Sequence, residues 1–320
     1  MNGYQSKPLP QGKDSRIQNP AYRLPVFFNV RFEEHIMQQH TIGQAFELEG
    51  IGLHSGLPSK LTFKPLPKNS GIIFKRCDLP SQPDIPALWS NVVDTRNCTC
   101  LGDGDKNVVG TIEHLMSALY VRGIDNLLVE VSNPELPIMD GSAAALYDAL
   151  MKIPLKEQDA PRRYLKVKKE VSYSDGKGNT VTLKPYEKGL KIDFEIEFPS
   201  KIVGRQVFSG EITPELYAAE IAPCRTFCEK YQVDYLQSIG LIKGGSLDNA
   251  VVLDGDTVLN PGGLRHQHEC VNHKVLDAVG DLYTSGYPIL GQLEASKTGH
   301  FHNNQILKVL FSDQSNYEMV

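Results

Sequence analysis

The stretch NHKVLDAVGDL, residues 272–282, has the apolar spacing of an amphipathic helix. At about 100° per residue, its apolar side chains fall on one face, and His273, Asp277 and Asp281 form a stripe nearly opposite. Residues four apart are neighbours on a helix surface, so these three side chains lie side by side. The apolar face predicts a helix that covers a sheet, and the polar stripe has two possible explanations.

A solvated helix surface is the simpler explanation for the stripe. Two features count against it. The paired carboxylates of Asp277 and Asp281 repel each other, with no lysine between them on that stripe. Gly280 lies beside them, where glycine costs a helix up to about 1 kcal/mol relative to alanine. A bound cation would relieve the repulsion, and close approach of a neighbouring chain segment would explain the glycine.

A second predicted helix, TIEHLMSALYVRG at residues 111–123, supplies a further candidate ligand. His114 lies roughly opposite its apolar stripe. Together with His273 and Asp277, it would form a set of two histidines and one carboxylate, the arrangement of a catalytic zinc site with a fourth position for water. Glu113 is placed to accept a proton from that water. The order and spacing differ from the metalloprotease motif HExxH.

Three other stretches contain side chains that suit catalysis. KTGHFHNN, residues 297–304, places two histidines in a predicted glycine-hinged loop, where one could serve as an acid. His302 is equally explained as a packing or surface residue. CRTF, residues 224–227, offers the hydroxyl of Thr226, and GIGLHSG holds His54 in a glycine-flanked turn. Neither residue indicates a function by itself.

Composition restricts the class of partner. The chain has 320 residues, 33 basic and 38 acidic, and a net charge of −5, which gives no field suited to nucleic acid and favours a small-molecule partner. The sequence has no apolar run of 18 or more residues and no leader pattern, so we predict neither a membrane-spanning nor a secreted protein. Its six cysteines form no CxxC pairs, which indicates free thiols in a reducing cytoplasm.

The pattern along the chain predicts an α+β fold in two halves. Residues 1–36 read as an N-terminal extension, so that Met37 could be the true start. Strands are then grouped ahead of the helix at 111–123, for which Thr111 is the predicted cap and Gly123 the predicted end. A charged boundary near 155–163 precedes a second half with a similar order of elements. We therefore predict domains at 37–156 and 164–313, and a tail at 314–320.

Eight motifs occur in the order found in one enzyme family. The chain resembles the UDP-3-O-acyl-N-acetylglucosamine deacetylases, the zinc enzymes that commit Gram-negative bacteria to lipid A synthesis. The resemblance covers about Met37 to Phe311. It rests on GIGLHSG, TIEHLMSAL, GIDN, PIMDGSA, CRTF, YLQSIGLIKGGS, LNPGGLRHQHECVNHKVLDAVGDL and KTGHFHNN.

The resemblance implies two α+β domains, each a sheet with a helix layer, with the active site between them. It also implies roles for individual residues. The implied metal ligands are His114, His273 and Asp277. The implied catalytic residues are Glu113 as general base, His300 as the catalytic histidine, Asp281 as the carboxylate that orients it and Thr226 as the oxyanion-stabilising hydroxyl. The implied substrate contacts are Lys274, Phe227 and His54. Residues 224–246 match the insert that forms a passage for the acyl chain.

The implied reaction is hydrolysis of the N-acetyl group of UDP-3-O-(3-hydroxyacyl)-N-acetylglucosamine to the free amine and acetate. The implied cofactor is Zn²⁺, with Fe²⁺ as the alternative, in a cytoplasmic monomer. The chain departs from the family in its first 36 residues and at His302, where an aliphatic residue is common. Two other functions stay open: a different zinc amidohydrolase acting on an acylated amine, and a nucleotide-sugar-binding protein without catalysis.

Overall fold

The computed structural model describes residues 37–102 and 107–320, and these residues belong to one compact unit. The predicted extension, residues 1–36, lies outside the described residues. The division at about residue 160 into two domains stays a prediction, because both halves belong to this unit. Among the described residues, no helix combines the length and the apolar character that crossing a membrane requires.

The first half of the unit is built around a five-stranded sheet with the strand order β2-β3-β9-β4-β5. Its pairs are antiparallel except for β4 and β9, which are parallel. A small sheet of β6, β7 and β8 lies outside it. The elements are β1 Gln38–Ile42, β2 Phe46–Ile51, β3 Pro58–Pro65, β4 Ile72–Arg76, β5 Asp84–Pro86, β6 Val92–Asp94, β7 Cys100–Gly102, β8 Val108–Val109, α1 Glu113–Arg122, β9 Leu127–Val131 and α2 Ala144–Lys152.

The second half is built around a seven-stranded sheet that contains β11 to β15, β19 and β20, and a three-stranded sheet of β16, β17 and β18. Its elements are β10 Leu155–Pro161, β11 Leu165–Val167, β12 Val171–Ser174, β13 Thr180–Lys184, β14 Leu190–Glu197, β15 Arg205–Glu211, α3 Pro214–Leu216, β16 Phe227–Glu229, α4 Lys230–Ser238, β17 Val251–Asp254, β18 Thr257–Val258, α5 Glu269–Tyr283, β19 Ile289–Ser296, α6 His300–Phe311 and β20 Tyr317–Met319.

Two segments that the sequence treats as a boundary and a tail are strands. β10 occupies most of the boundary at 155–163 and pairs with β1 in antiparallel fashion. β20, within the predicted tail at 314–320, pairs with β11. Both strands carry charged side chains, which hide the apolar alternation that would mark a half-buried strand.

The helices form layers on the sheets, which confirms the predicted α+β class. α5 packs on β14 and β15, α6 packs on β12 and β13, and α1 packs against both α5 and α2. The apolar faces of these elements join in one hydrophobic core. In β3, for example, alternate residues such as Leu61 and Phe63 point into the core, as the period of two requires. This packing brings α1 and α5 together, and both carry candidate site residues.

His273, Asp277 and Asp281 form a polar stripe on α5 as predicted, but the prediction that they are not core residues is wrong, because the stripe is buried. His273, Asp277 and Asp281 are each less than 5% exposed. A Cβ atom at Gly280 would overlap the backbone of Glu113, at the start of α1. The glycine therefore allows the first turn of α1 to contact α5 directly, as the close-approach explanation predicted, and this contact covers the polar stripe.

Two local predictions are wrong at the starts of helices, and one at a helix end is confirmed. KTGHFHNN is not a loop throughout, because α6 begins at His300 and includes His302. Thr111 does not cap α1: the N-cap is Ile112, and Thr111 has a φ of 58°. Gly123 ends α1 in the left-handed conformation, with a φ of 75°, as predicted.

Candidate active site

Two helices from different halves of the chain bring three potential metal ligands together. His114 lies in the first turn of α1, and His273 and Asp277 are one turn apart on α5. The Nε2 atoms of His114 and His273 lie 3.7 Å and 3.4 Å from Asp277 Oδ1. One ligand atom from each residue lies within 4.8 Å of the other two. The structure therefore assembles the set that the sequence indicates.

Both histidines are in the form that binds a metal. The Nδ1 atom of His273 lies 3.0 Å from the carbonyl oxygen of Cys224. Because a carbonyl only accepts, Nδ1 carries the proton and the lone pair of Nε2 faces the cluster. Burial, together with the neighbouring His273, lowers the pKa of His114 to about 3. Burial also lowers the pKa of His273. Two neutral imidazoles therefore point at Asp277.

The two oxygens of Asp277 have different surroundings. Oδ2 accepts a hydrogen bond of 2.6 Å from Lys274 Nζ. Oδ1, which faces both histidines, is buried and has no hydrogen-bond partner among the described residues. Burial opposes ionisation, but the positive charge of Lys274, which donates to Oδ2, favours it, and the pKa of Asp277 lies well below its usual range. A buried carboxylate oxygen without a partner is costly, and a cation beside Oδ1 would remove that cost. The three residues thus fit a divalent metal.

A second pair of titratable groups lies beside the ligands. Glu113 Oε1 lies 3.8 Å from His300 Nε2, and His300 Nδ1 lies 2.8 Å from Asp281 Oδ2. Burial raises the pKa of Glu113, which makes it a stronger base than an exposed glutamate. Burial alone would lower the pKa of His300, but the charges of Asp281 and Glu113 outweigh it and raise that pKa to about 10. A glutamate whose pKa is raised and a histidine whose protonated form is favoured therefore lie close together.

A cavity of about 420 Å³ opens beside these groups. Nine of the ten predicted site residues line it, and Asp281 lies behind His300. The nine are His54, Glu113, His114, Thr226, Phe227, His273, Lys274, Asp277 and His300. His302 also lines this cavity, and its Nε2 atom lies 3.4 Å from Asp175 Oδ2. The assignment of individual roles to these residues remains a prediction.

A second cavity, of about 600 Å³, shares His54, Thr226 and Phe227 with the first. It falls largely within residues 224–246, the predicted insert. One wall is α4, in which no residue is buried. The apolar side chains that line this cavity are Leu53, Phe227, Val233, Leu236, Ile242, Leu247, Ala250, Val252 and Leu259.

A buried ion pair fixes the segment that carries Thr226. Arg225 Nε lies 2.8 Å from Glu269 Oε1, and Glu269, at the start of α5, is fully buried. The Thr226 N–H donates to the carbonyl of Gly141 at 2.8 Å, and the Thr226 carbonyl accepts from Val251 at the start of β17. This segment is therefore anchored on three sides.

Two residues that contact the site were not found from the sequence. Thr99 donates through its hydroxyl to Asp281 Oδ1 at 2.5 Å and through its N–H to Glu113 Oε2 at 3.1 Å. Asn303 Nδ2 donates to Asp281 Oδ2 at 2.9 Å. Asn303 could have been singled out, because it lies one turn after His300 in a polar run. Thr99 has no comparable signal.

Comparison with known proteins identifies the family. Residues 39–312 match the model of the UDP-3-O-acyl N-acetylglycosamine deacetylase family. The chain is similar to the UDP-3-O-acyl-N-acetylglucosamine deacetylase of Actinobacillus pleuropneumoniae serotype 3, with 43% identity over 89% of this chain and 94% of the relative. The deacetylases of Shewanella violacea and Aliarcobacter butzleri are 44% and 42% identical, over 88% and 89% of this chain and 92% and 93% of their own lengths. The chain therefore belongs to the UDP-3-O-acyl-N-acetylglucosamine deacetylase family.

Proposed function

We propose that this chain hydrolyses the N-acetyl group of UDP-3-O-(3-hydroxyacyl)-N-acetylglucosamine, giving the free amine and acetate in the committed step of lipid A biosynthesis. Membership of the deacetylase family supports the reaction and the substrate class. One structural observation carries the proposal: three residues that could hold a metal ion lie beside the buried Glu113 and His300, in a cavity that adjoins a mainly apolar one.

His114, His273 and Asp277 would hold the metal, with Zn²⁺ as the proposed ion and Fe²⁺ as the alternative. Two imidazole nitrogens and one carboxylate oxygen are ligands that both ions accept. When bound, the ion supplies Lewis-acid polarisation of the acetyl carbonyl. Lys274 occupies Asp277 Oδ2 and so leaves Oδ1 as the ligand atom.

The remaining residues handle the protons and the developing charge. Glu113 accepts a proton from the attacking water at Oε1, because Oε2 is held by the Thr99 N–H. Water adds to the carbonyl carbon, and the Thr226 hydroxyl donates to the oxygen that gains charge. One well-placed donor of this kind contributes roughly 3 to 4 kcal/mol in other enzymes. His300 gives its proton from Nε2 to the leaving nitrogen as the C–N bond breaks, and Asp281 holds the opposite side of the ring.

The second cavity suits the acyl chain. Its lining is mainly apolar, and α4 leaves Tyr231 and Tyr235 more than 60% exposed. Burial of a methylene group contributes about 0.8 kcal/mol, so a long acyl chain would gain much of its affinity there. His54 and Phe227 line both cavities and would contact the substrate where the acyl chain leaves the sugar, while Lys274 lies beside the metal ligands.

Two alternative functions make different predictions. Another zinc amidohydrolase would release acetate from N-acetyl sugars that carry no acyl chain. A nucleotide-sugar-binding protein would bind the substrate and form no product, and it would need neither Glu113 nor His300. The apolar cavity argues against the first alternative, and the pairing of base and acid argues against the second.

The test measures acetate release from UDP-3-O-acyl-N-acetylglucosamine and from UDP-N-acetylglucosamine by the zinc-loaded protein. We expect turnover of the acylated substrate and a much lower kcat/KM for the other. Glu113→Gln should lower kcat roughly 100- to 10,000-fold, the range for loss of a general base, while one equivalent of metal stays bound. Equal kcat/KM for the two substrates would contradict the acylated substrate, and tight binding without product would contradict the reaction.

The oligomeric state and location are proposed as a monomer in the cytoplasm. All six cysteines are free thiols, as expected for a reducing compartment.

A further inference from the structure

Thr99 contacts both helices of the active site through its three polar groups. It lies between a bend at residues 96–98 and β7, and it is 2% exposed. Its N–H donates to Glu113 Oε2 at 3.1 Å, its hydroxyl donates to Asp281 Oδ1 at 2.5 Å, and its carbonyl accepts from the Ile112 N–H at 3.4 Å. One small residue thus bonds to the start of α1 and to the last turn of α5.

We propose that Thr99 is a positioning residue that holds Glu113 and the Asp281–His300 pair in a fixed arrangement. This inference rests on the proposed roles of Glu113 and His300. The Thr99 N–H fixes Glu113 Oε2 and so directs Oε1 toward His300 Nε2, 3.8 Å away. The Thr99 hydroxyl fixes the carboxylate that holds His300. Thr99 thus sets the positions of both the proposed base, Glu113, and the proposed acid, His300.

The hydrogen bonds of Asp281 explain why the hydroxyl matters. Oδ2 already accepts from His300 Nδ1 at 2.8 Å and from Asn303 Nδ2 at 2.9 Å. The donor to Oδ1 is the Thr99 hydroxyl. Without it, a buried carboxylate oxygen would lack a partner, and the carboxylate could rotate toward another donor. His300 would then lose the orientation in which its Nε2 faces Glu113.

Thr99→Val tests the hydroxyl alone, because valine keeps the shape of the side chain and the backbone N–H. We expect kcat to fall roughly 10- to 100-fold, as for loss of one hydrogen bond to a charged group, with KM and metal content unchanged. Thr99→Ser should restore kcat to within a few-fold of wild type. If Thr99→Val does not fold, Thr99→Ala compared with Thr99→Ser gives the same contrast. Wild-type kcat in the variant without a hydroxyl would overturn the inference.

Thr41→Val is the matched control. Thr41 is also 2% exposed, and its hydroxyl donates to the carbonyl of Asn126 at 2.6 Å, away from the site residues. We expect this variant to lose stability and to keep wild-type kcat. A loss of kcat as large as in Thr99→Val would show that any buried hydroxyl has this effect, and would overturn a specific role for Thr99.

A double-mutant cycle tests whether Thr99 acts through Asp281. In an Asp281→Asn background, Thr99→Val should lower kcat by less than twofold, because the oriented carboxylate is already gone. The full 10- to 100-fold loss in that background would overturn the inference. If Asp281→Asn keeps wild-type kcat, both the proposed role of Asp281 and the inference about Thr99 are overturned. If kcat falls in Asp281→Asn but not in Thr99→Val, only the inference about Thr99 is overturned.

Discussion

Asp277 and Asp281 lie one turn apart on α5, yet their partners give them different tasks. Asp277 Oδ2 is taken by Lys274, and its Oδ1 faces two imidazoles. Asp281 accepts from three donors, one of which is His300. A carboxylate with a free buried oxygen suits a cation, whereas one whose oxygens are all hydrogen-bonded suits orientation of a neighbour. The two carboxylates on this helix therefore suit the two different roles that we propose for them.

Asp281→Asn should shift the pH dependence of kcat. In the proposed mechanism catalysis needs protonated His300, so activity should fall as the pH rises through the pKa of that residue. Asp281 raises this pKa, which is about 10 despite burial, and a neutral side chain would let it fall. We expect the alkaline limb of the profile to move to lower pH by about 1 to 3 units, the usual effect of an adjacent opposite charge.

Asp256→Asn is the control for this shift, since Asp256 pairs with Lys201 at the surface. Its profile should match that of the wild-type protein. An alkaline limb that stays in place in Asp281→Asn would show that another group sets it.

Residues that lie in the candidate site could be predicted from the sequence where helical spacing places them on one face. His273, Asp277 and Asp281 follow from a spacing of four, and His114 follows from its position opposite an apolar stripe. Thr99 has neither kind of spacing, because its contacts depend on how a bend meets two helices. The burial of the stripe was also missed, because a polar face looks solvated until the neighbouring helix is placed on it.

At the element scale, Gly280→Ala should disturb the contact between α1 and α5. In an exposed helix this change would stabilise by up to about 1 kcal/mol. Here the added methyl group would overlap the backbone of Glu113, and overpacking of this kind costs typically 1 to 3 kcal/mol. We expect a lower melting temperature and, because Glu113 must move, a kcat lowered at least 10-fold.

Gly262→Ala serves as the comparison, because a Cβ there meets no atom within 4 Å. This variant should keep both its melting temperature and its kcat. Unchanged stability and activity in Gly280→Ala would show that α1 can shift without affecting the base.

The wall formed by α4 and β17 should control selection of the acyl chain. Ala250 lines the second cavity and is buried, so Ala250→Phe would fill part of that space. If about four methylene groups are excluded at about 0.8 kcal/mol each, KM for a long-chain substrate should rise roughly 200-fold. KM for an analogue with a two-carbon acyl group should change little.

Val207→Phe is the control, because Val207 is exposed on β15 and does not line this cavity. An equal rise in KM for both substrates in Ala250→Phe would contradict the assignment of the cavity to the acyl chain.

Many of the helices and strands could be predicted from periodicity, and three of the misses share a physical cause, although α2 was missed despite the helical spacing of Leu146 and Leu150. The start of α6 was missed because its inward residue Asn303 is polar and bonds to Asp281, which hides the helical period. β10 and β20 were missed because charged residues interrupt their apolar patterns, although their backbones pair with β1 and β11. A helix or strand cannot be predicted from apolar periodicity where polar side chains hydrogen-bond a buried group or lie along a partly exposed strand.

At the scale of the whole molecule, removal of the metal should destabilise the fold. Without it, Asp277 Oδ1 is a buried acceptor that lacks a partner within the part of the chain that the structure describes. A ligand present at 1,000 times its Kd stabilises the native state by about 4 kcal/mol. We expect chelation to lower the melting temperature by roughly 5 °C or more, and added Zn²⁺ to restore it.

His273→Ala should lose this response, because one of the three ligands is gone. Its melting temperature should be the same with chelator and with Zn²⁺. A wild-type protein whose melting temperature ignores chelation would show that the metal is bound without supporting the fold.

The direct contact of α1 with α5 at Gly280 also affects how the chain acquires activity. Glu113 and Gly280, which meet there, are separated by 167 positions in sequence, so neither half can form the site alone. Long-range contacts of this kind carry a large entropic cost of closure and form slowly. During refolding, recovery of metal binding and turnover should therefore lag behind the appearance of helices and strands, and enzymatic activity would report the last step of assembly.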